Sequence, residues 1–178
     1  YMAATLYTGT GASLTVANTV GSTSFQPDWV WAKSRSAATD HALYDSVRGV
    51  QKQIESNTTT AETTETTGLT AFGSTGFTTG ALAQMNTSAA TYVAWQWKAG
   101  TTSASNTNGS ITSTVSVGAT QGFSVVTYTG TGVAATIGHG LGVAPSMMIT
   151  KNRTSGAQAW HCYHASLGNS AVIFLNTN

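Results

Sequence analysis

The sequence runs to 178 residues with a formal net charge of +1, and only 7% of them are charged, against roughly 25% in ordinary soluble domains. That balance excludes a nucleic-acid footprint and a polybasic membrane patch, while a hydrophobic fraction of 40% with five tryptophans excludes a disordered chain. A single cysteine, Cys162, excludes an intrachain disulfide and a cysteine-based zinc site, and no apolar run approaches the roughly 20 residues that span a bilayer.

Helical periodicity is nearly absent. Short runs rich in β-formers, broken by Gly, Asn and Ser every roughly 8–15 residues, predict an all-β chain. Strands are expected near 2–8, 13–20, 28–35, 41–46, 50–55, 69–73, 91–98, 110–117, 122–129, 146–152, 158–164 and 170–175. Between them, the Thr-rich stretch 58–67, with Glu62 and Glu65, reads as a loop or exposed edge, and 99–109 is the most linker-like segment.

These elements repeat. Tyr7-Thr8-Gly9-Thr10-Gly11 returns 121 positions later as Tyr128-Thr129-Gly130-Thr131-Gly132, and Pro27, Lys33 and Arg35 return 118 positions later as Pro145, Lys151 and Arg153. Residues 1–121 therefore read as a complete repeat and 122–178 as the N-terminal half of a second. On an extended strand Trp29, Trp31, Lys33 and Arg35 share one face, and Met147, Ile149, Lys151 and Arg153 share the equivalent face. This is the pattern of a strand that leaves a core for a solvated rim. His41 to Ser46 pairs with Trp160 to Ala165, Tyr44 falling opposite Tyr163, and Gly49 and Gly168 close the following turns, where φ > 0 is expected. Half a sandwich exposes its interior. The second copy is thus expected to be completed by further chain, the favoured reading, or by strands of a neighbouring subunit. Tyr1 precedes Met2, which points the same way, to a piece of a longer polypeptide.

The chemistry-bearing residues point away from catalysis. His161 and His164, three apart on a strand, face opposite sides and do not chelate one ion, so no metal or cofactor is expected. Of the acidic residues Asp28, Asp40, Asp45, Glu55, Glu62 and Glu65, Asp28 meets Ser146 and Asp45 meets His164 or Ala165 in the second copy, so neither belongs to the repeat. No nucleophile-elbow pattern is present. Gly9-Thr10-Gly11 and Gly138-His139-Gly140 lack the helix or Lys that phosphate cradling needs, and read as turns. Asn-x-Ser/Thr matches such as Asn57-Thr58-Thr59 are what chance gives in so Asn- and Thr-rich a chain.

The aromatics are the binding candidates. Trp29 with Trp31, and Trp95 with Trp97, share strand faces on which a sugar ring would stack; core filling is the competing reading, favoured because Met147 and Ile149 replace two of them. Trp160 and His139 complete the candidate surface-binding set.

Three further runs carry a resemblance: Gly122-Phe123-Ser124-Val125-Val126-Thr127-Tyr128-Thr129-Gly130-Thr131-Gly132, Gly138-His139-Gly140-Leu141-Gly142-Val143-Ala144-Pro145, and Lys151-Asn152-Arg153 with Trp160 and Tyr163 to Gly168. Together they resemble a repeat of tail-fibre and other virion proteins of tailed phages, notably marine ones. Tyr7 to Gly11, Pro27-Asp28-Trp29, Lys33, Arg35, Tyr44 and Thr91 to Trp95 form a diverged copy, in which Ala17 to Gly21 stands where the second has Gly-His-Gly-Leu-Gly. The resemblance implies a virion appendage, host-facing and without an active site to carry over. The expectation is a chain of tandem antiparallel β-sandwich repeats, jelly-roll-like or immunoglobulin-like, that serves as a non-catalytic structural and adhesive module. Its implied partners are its own copies as a homotrimer, other virion proteins and a bacterial surface glycan, without nucleic acid or membrane insertion. A capsid decoration protein, a polysaccharide depolymerase and a cellular adhesin are the alternatives.

Overall fold

The computed structural model describes residues 1–177. The chain is all-β, built from several antiparallel sheets. In chain order the strands are β1 (Met2–Thr8), β2 (Leu14–Ala17), β3 (Trp29–Ser34), β4 (Ala42–Asp45), β5 (Lys52–Gln53), β6 (Thr63–Thr64), β7 (Leu69–Gly73) and β8 (Gly76–Thr79). A single helical turn, α1 (Ala83–Asn86), precedes β9 (Thr91–Trp97), β10 (Ala104–Asn106), β11 (Ser113–Gly118), β12 (Phe123–Tyr128), β13 (Met147–Thr150), β14 (His161–His164) and β15 (Ile173–Phe174).

Two sheets make the main core. One has the order β1-β9-β3-β4, the other β2-β8-β7, and Val16, Val30, Ala32, Ala42, Tyr44, Leu69, Phe77, Met85 and Ala94 pack between them. The alternation of β3 and β9 decides which face goes inward: Val30, Ala32, Tyr92, Ala94 and Gln96 are buried, while Trp29, Trp31, Trp95 and Trp97 stay half-buried on the other side. Small alanines on the inner face let the second layer approach closely, and Phe77, Leu69 and Met85 fill the space. Fully burying each such large side chain contributes about 1.5–3 kcal/mol.

Polar groups buried with this core are matched. Gln96 Nε2 donates to Thr5 Oγ1 at 3.0 Å, and its Oε1 accepts from Asn18 Nδ2 at 2.9 Å. Asn18 also clasps the Phe25 backbone, donating to its carbonyl and accepting from its N–H. The expected strand 13–20 accordingly ends at Ala17, because Asn18 turns inward to hold the following loop on the sheet.

Residues 147–174 form a third antiparallel sheet, β13-β14-β15, with the ladder positions of β3 and β4. Trp29↔Asp45, Val30↔Tyr44, Trp31↔Leu43 and Ala32↔Ala42 become Met147↔His164, Met148↔Tyr163, Ile149↔Cys162 and Thr150↔His161. The bridge Leu43↔Ile54 becomes Cys162↔Ile173. His41 N–H donates to Asn57 Oδ1 at 2.9 Å, and Trp160 N–H to Asn176 Oδ1 at 2.7 Å. Ser46 N–H donates to the Asp28 carbonyl as Ala165 N–H does to that of Ser146. Gly49 and Gly168 take φ of +90° and +74°, the left-handed region their turns require.

The persistence of the lysine has a specific cause. Lys33 Nζ donates to the carbonyls of Ser34 and Ala37, and Lys151 Nζ to those of Asn152 and Ser155. Each ammonium closes the turn where its strand exits, satisfying carbonyls that no sheet partner reaches.

Several expectations differ from the structure. The linker-like 99–109 contains β10, whereas 58–67, read as a loop or exposed edge, carries the short exposed edge strand β6 paired with β5. Strand β8 and helix α1 were not expected at all. The β13-β14-β15 sheet is docked onto residues 43–62 and the tryptophan face.

Candidate functional site

The tryptophans and the docking seam form one continuous region. Antiparallel pairing sets Trp29 opposite Trp97 and Trp31 opposite Trp95, so the alternation of two neighbouring strands gathers four indoles on one face. Ring centroids lie 4.7 Å apart for Trp29–Trp97 and 5.8 Å for Trp29–Trp31, while Trp31 meets Trp95 edge-on at 6.1 Å. Phe123, at the start of β12, stacks on Trp29 at 5.9 Å and on Trp97 at 6.3 Å. It therefore packs on the Trp29–Trp97 end of the row, and all four indoles are half-buried.

His41 borders the Trp31–Trp95 end. Its Nδ1 accepts a hydrogen bond from Trp31 Nε1 at 2.7 Å, which requires an unprotonated Nδ1. Burial, and then the Lys33 ammonium, lower the imidazole pKa from its ordinary value of 6.5, with Asp40 opposing. Between the lowered value and 6.5 the unfolded chain holds more protons than the folded one, so stability rises with pH there. Thermal unfolding scanned from about pH 7.5 to 4.5 is expected to show full stability above the ordinary histidine pKa and a loss as pH falls through the lowered one. In a His41→Gln variant this step should be absent, leaving only the background slope.

The seam joins both parts of the chain in a second apolar cluster. Leu43, Ile54 and Trp160 are its buried members, with Trp29, Trp31, Ile149 and Leu175 packed against them. Trp160 is only 3% exposed, and its Nε1 donates to the Glu55 carbonyl at 2.7 Å. This corrects the sequence-based placement of Trp160 on a binding surface: an indole at the position of His41 fills the joint instead. Trp29 and Trp31 divide their surface between this cluster and solvent, so core filling describes them in part. His139 is half-buried, its Nδ1 accepting from Leu141 N–H, and sits away from the indole row beside Ala144, Pro145, Met148 and Tyr163. The six candidates thus separate into a row of four, a buried anchor and an outlying histidine.

Charge at the seam is arranged to hold it. Arg48, nearly buried, pairs with Asp45 and lies 3.1 Å from Glu62. The same Glu62 oxygen receives Arg153 Nη1 at 3.1 Å, while Glu62 N–H donates to the Arg153 carbonyl. Lys151 adds a third bond, from Nζ to the Thr59 carbonyl at 3.0 Å. The sequence reading placed Glu62 in a solvated loop and missed this role; the persisting Lys-x-Arg pair was the available signal.

Asp28 was also passed over. It is fully buried, and its carboxylate accepts from Ser46 Oγ (2.6 Å), Ala99 N (2.7 Å), Ser116 Oγ (3.0 Å) and Thr101 N (3.1 Å). It ties together the start of β3, the end of β4, the exit of β9 and β11. Among the described residues no group of three or more His, Cys, Asp or Glu side chains is placed to hold a metal ion, and no helix is long and apolar enough to cross a membrane.

No curated protein and no solved structure matches the chain. A family model does match, along residues 1–178, and on that end-to-end match the chain belongs to the family described as Domain of unknown function (DUF7483).

Proposed function

We propose that the chain is a non-catalytic structural and adhesive module of a virion fibre, of the tailed-phage kind its sequence resembles, that contributes to attachment at a host surface. In this reading residues 1–121 and 122–178 are two editions of one β-sandwich design. The observation that carries it is the common ladder of β3–β4 and β13–β14, with its lysine-closed turn and asparagine clasp, docked through the seam. What recurs is framework and joint. The carboxylates nearest to a conceivable active site act in that framework too: Asp28 and Asp45 hold backbone turns, and Glu62 bridges two arginines.

The adhesive element is the half-buried Trp31–Trp95 end of the indole row, where a pyranose ring of a bacterial surface glycan would stack and His41 would meet its hydroxyls. The fibre reading also entails a homotrimer, with Val172, Ile173 and Phe174, all exposed at β15, supplying apolar surface for self-association. Immobilised lipopolysaccharide and capsular polysaccharide provide the test. Retention of the purified protein should fall about tenfold in Trp95→Ala, a change on the half-buried face that leaves the main core intact. Released oligosaccharide would overturn the non-catalytic reading in favour of a depolymerase. A monomer in sedimentation equilibrium would remove the trimer.

A further inference from the structure

The β13-β14-β15 sheet presents to solvent a face that its counterpart hides. Val30, Ala32, Ala42 and Tyr44 are fully buried, whereas at the same ladder positions Met148 is 45% exposed, Thr150 and His161 are exposed and Tyr163 is half-exposed. Two hollows of about 180 and 410 Å³ lie along this face and share Met148, Tyr163 and Asn169. The edge of β13 is open there as well: among the described residues β13 pairs only with β14, as in its own sheet β12 pairs only with β11. In the first sheet the strands at the corresponding sequence positions, β3 and β1, both pair with β9, which lies between them.

We propose that the open edge of β13 is an acceptor for one added antiparallel strand of the β9 type. Such a strand is uncharged and alternates Tyr, Ala and Gln towards the covered face with Val and Trp towards the other. Its register follows from the first sheet: Trp97, Gln96, Trp95 and Ala94 face Trp29, Val30, Trp31 and Ala32, so Trp, Gln, Trp and Ala would face Met147, Met148, Ile149 and Thr150. Main-chain hydrogen bonds along the edge would supply affinity, and alternate side chains specificity. No charged side chain occurs in Thr91–Trp97, Phe123–Tyr128 or Met147–Thr150, so the three segments are matched in chemistry. The occupant is a separate strand and not a second folded copy, because β9 in a folded copy is held along both edges by β1 and β3. The inference rests on the two-edition reading above and is independent of the adhesive role.

The test adds a capped peptide with the sequence of residues 90–98 to the intact protein and follows amide hydrogen exchange. Protection is expected in 147–150. Met148→Asp, at an exposed position, should weaken binding about tenfold or more, whereas Leu6→Asp, exposed on β1, should leave it unchanged. A peptide N-methylated at alternate amides should not bind, and this control leaves the protein unaltered. Equal binding of a scrambled peptide, protection confined to the free edge of β1, or no protection up to the solubility limit would overturn the proposal. So would self-association of the protein alone that protects β13, since the edge would then serve a second copy. Glycan retention through Trp95 is read separately, so either reading can fail without the other.

Discussion

Replacing Trp160 by alanine is expected to cost about 3–5 kcal/mol and to release the β13-β14-β15 sheet from the rest of the chain. The indole is the largest buried side chain of the seam and joins Leu43 and Ile54 to Ile149 and Leu175. Its loss removes apolar contact on both sides and leaves the Glu55 carbonyl without its donor. The ion pair of Arg153 with Glu62 does not compensate, because a partly exposed pair is worth about 0–1 kcal/mol. Hydrogen exchange gives the clearest measurement: amides of Met147–Thr150 and His161–His164 should lose protection while those of Thr91–Trp97 keep it. Unfolding of both sets together would mean that the seam is part of one cooperative core. Trp160→Phe, which keeps much of the volume and lacks the N–H, should fall between wild type and alanine.

Asp28→Ala is expected to be the most damaging change within residues 1–121, at about 4 kcal/mol, or roughly a 10 °C fall in Tm. The side chain accepts from two backbone N–H groups and two hydroxyls in a region from which water is excluded. Alanine strands all of these donors. Asp28→Asn keeps the shape but points an NH2 group at other donors, so it should recover only part of the loss. Urea denaturation with an unchanged m-value would separate this effect from a change in the unfolded chain. If Asp28→Asn were as stable as wild type, the carboxylate charge would be irrelevant to the fold.

Much of this fold could be read from the residues. Offsets of 118 and 119 aligned β3 with β13 and β4 with β14, and the ladders carry that alignment pair by pair. Gly49 and Gly168 were legible because only positive φ explains a glycine at both turn ends. Strand β8 was hidden: Gly76-Phe77-Thr78-Thr79 offers a single apolar side chain, and its remaining inward position is a buried threonine, Thr79, bonded to the Gly68 carbonyl. Depth was misjudged for a related reason. Large rings suggest an interior, yet the deepest face of β3 is Val30 and Ala32, since a second layer packs most closely over small side chains. Asp28 showed nothing in its neighbourhood because the partners of its carboxylate come from three distant segments, at Ser46, Ala99 to Thr101, and Ser116. Its backbone carbonyl keeps the same bond as that of Ser146, and only the side-chain role is peculiar to it.

The joint between the two parts of the chain has a polarity. In its side-chain bonds one side offers acceptors, the Glu55 and Thr59 carbonyls and the Glu62 carboxylate, and the other donors, Trp160, Lys151 and Arg153; the main-chain bond from Glu62 N–H to the Arg153 carbonyl runs the other way. A contact between unlike patches is head-to-tail, and such contacts propagate where a self-complementary one would pair and stop. In the fibre reading proposed above, modules joined this way would stack along an axis with distinguishable ends.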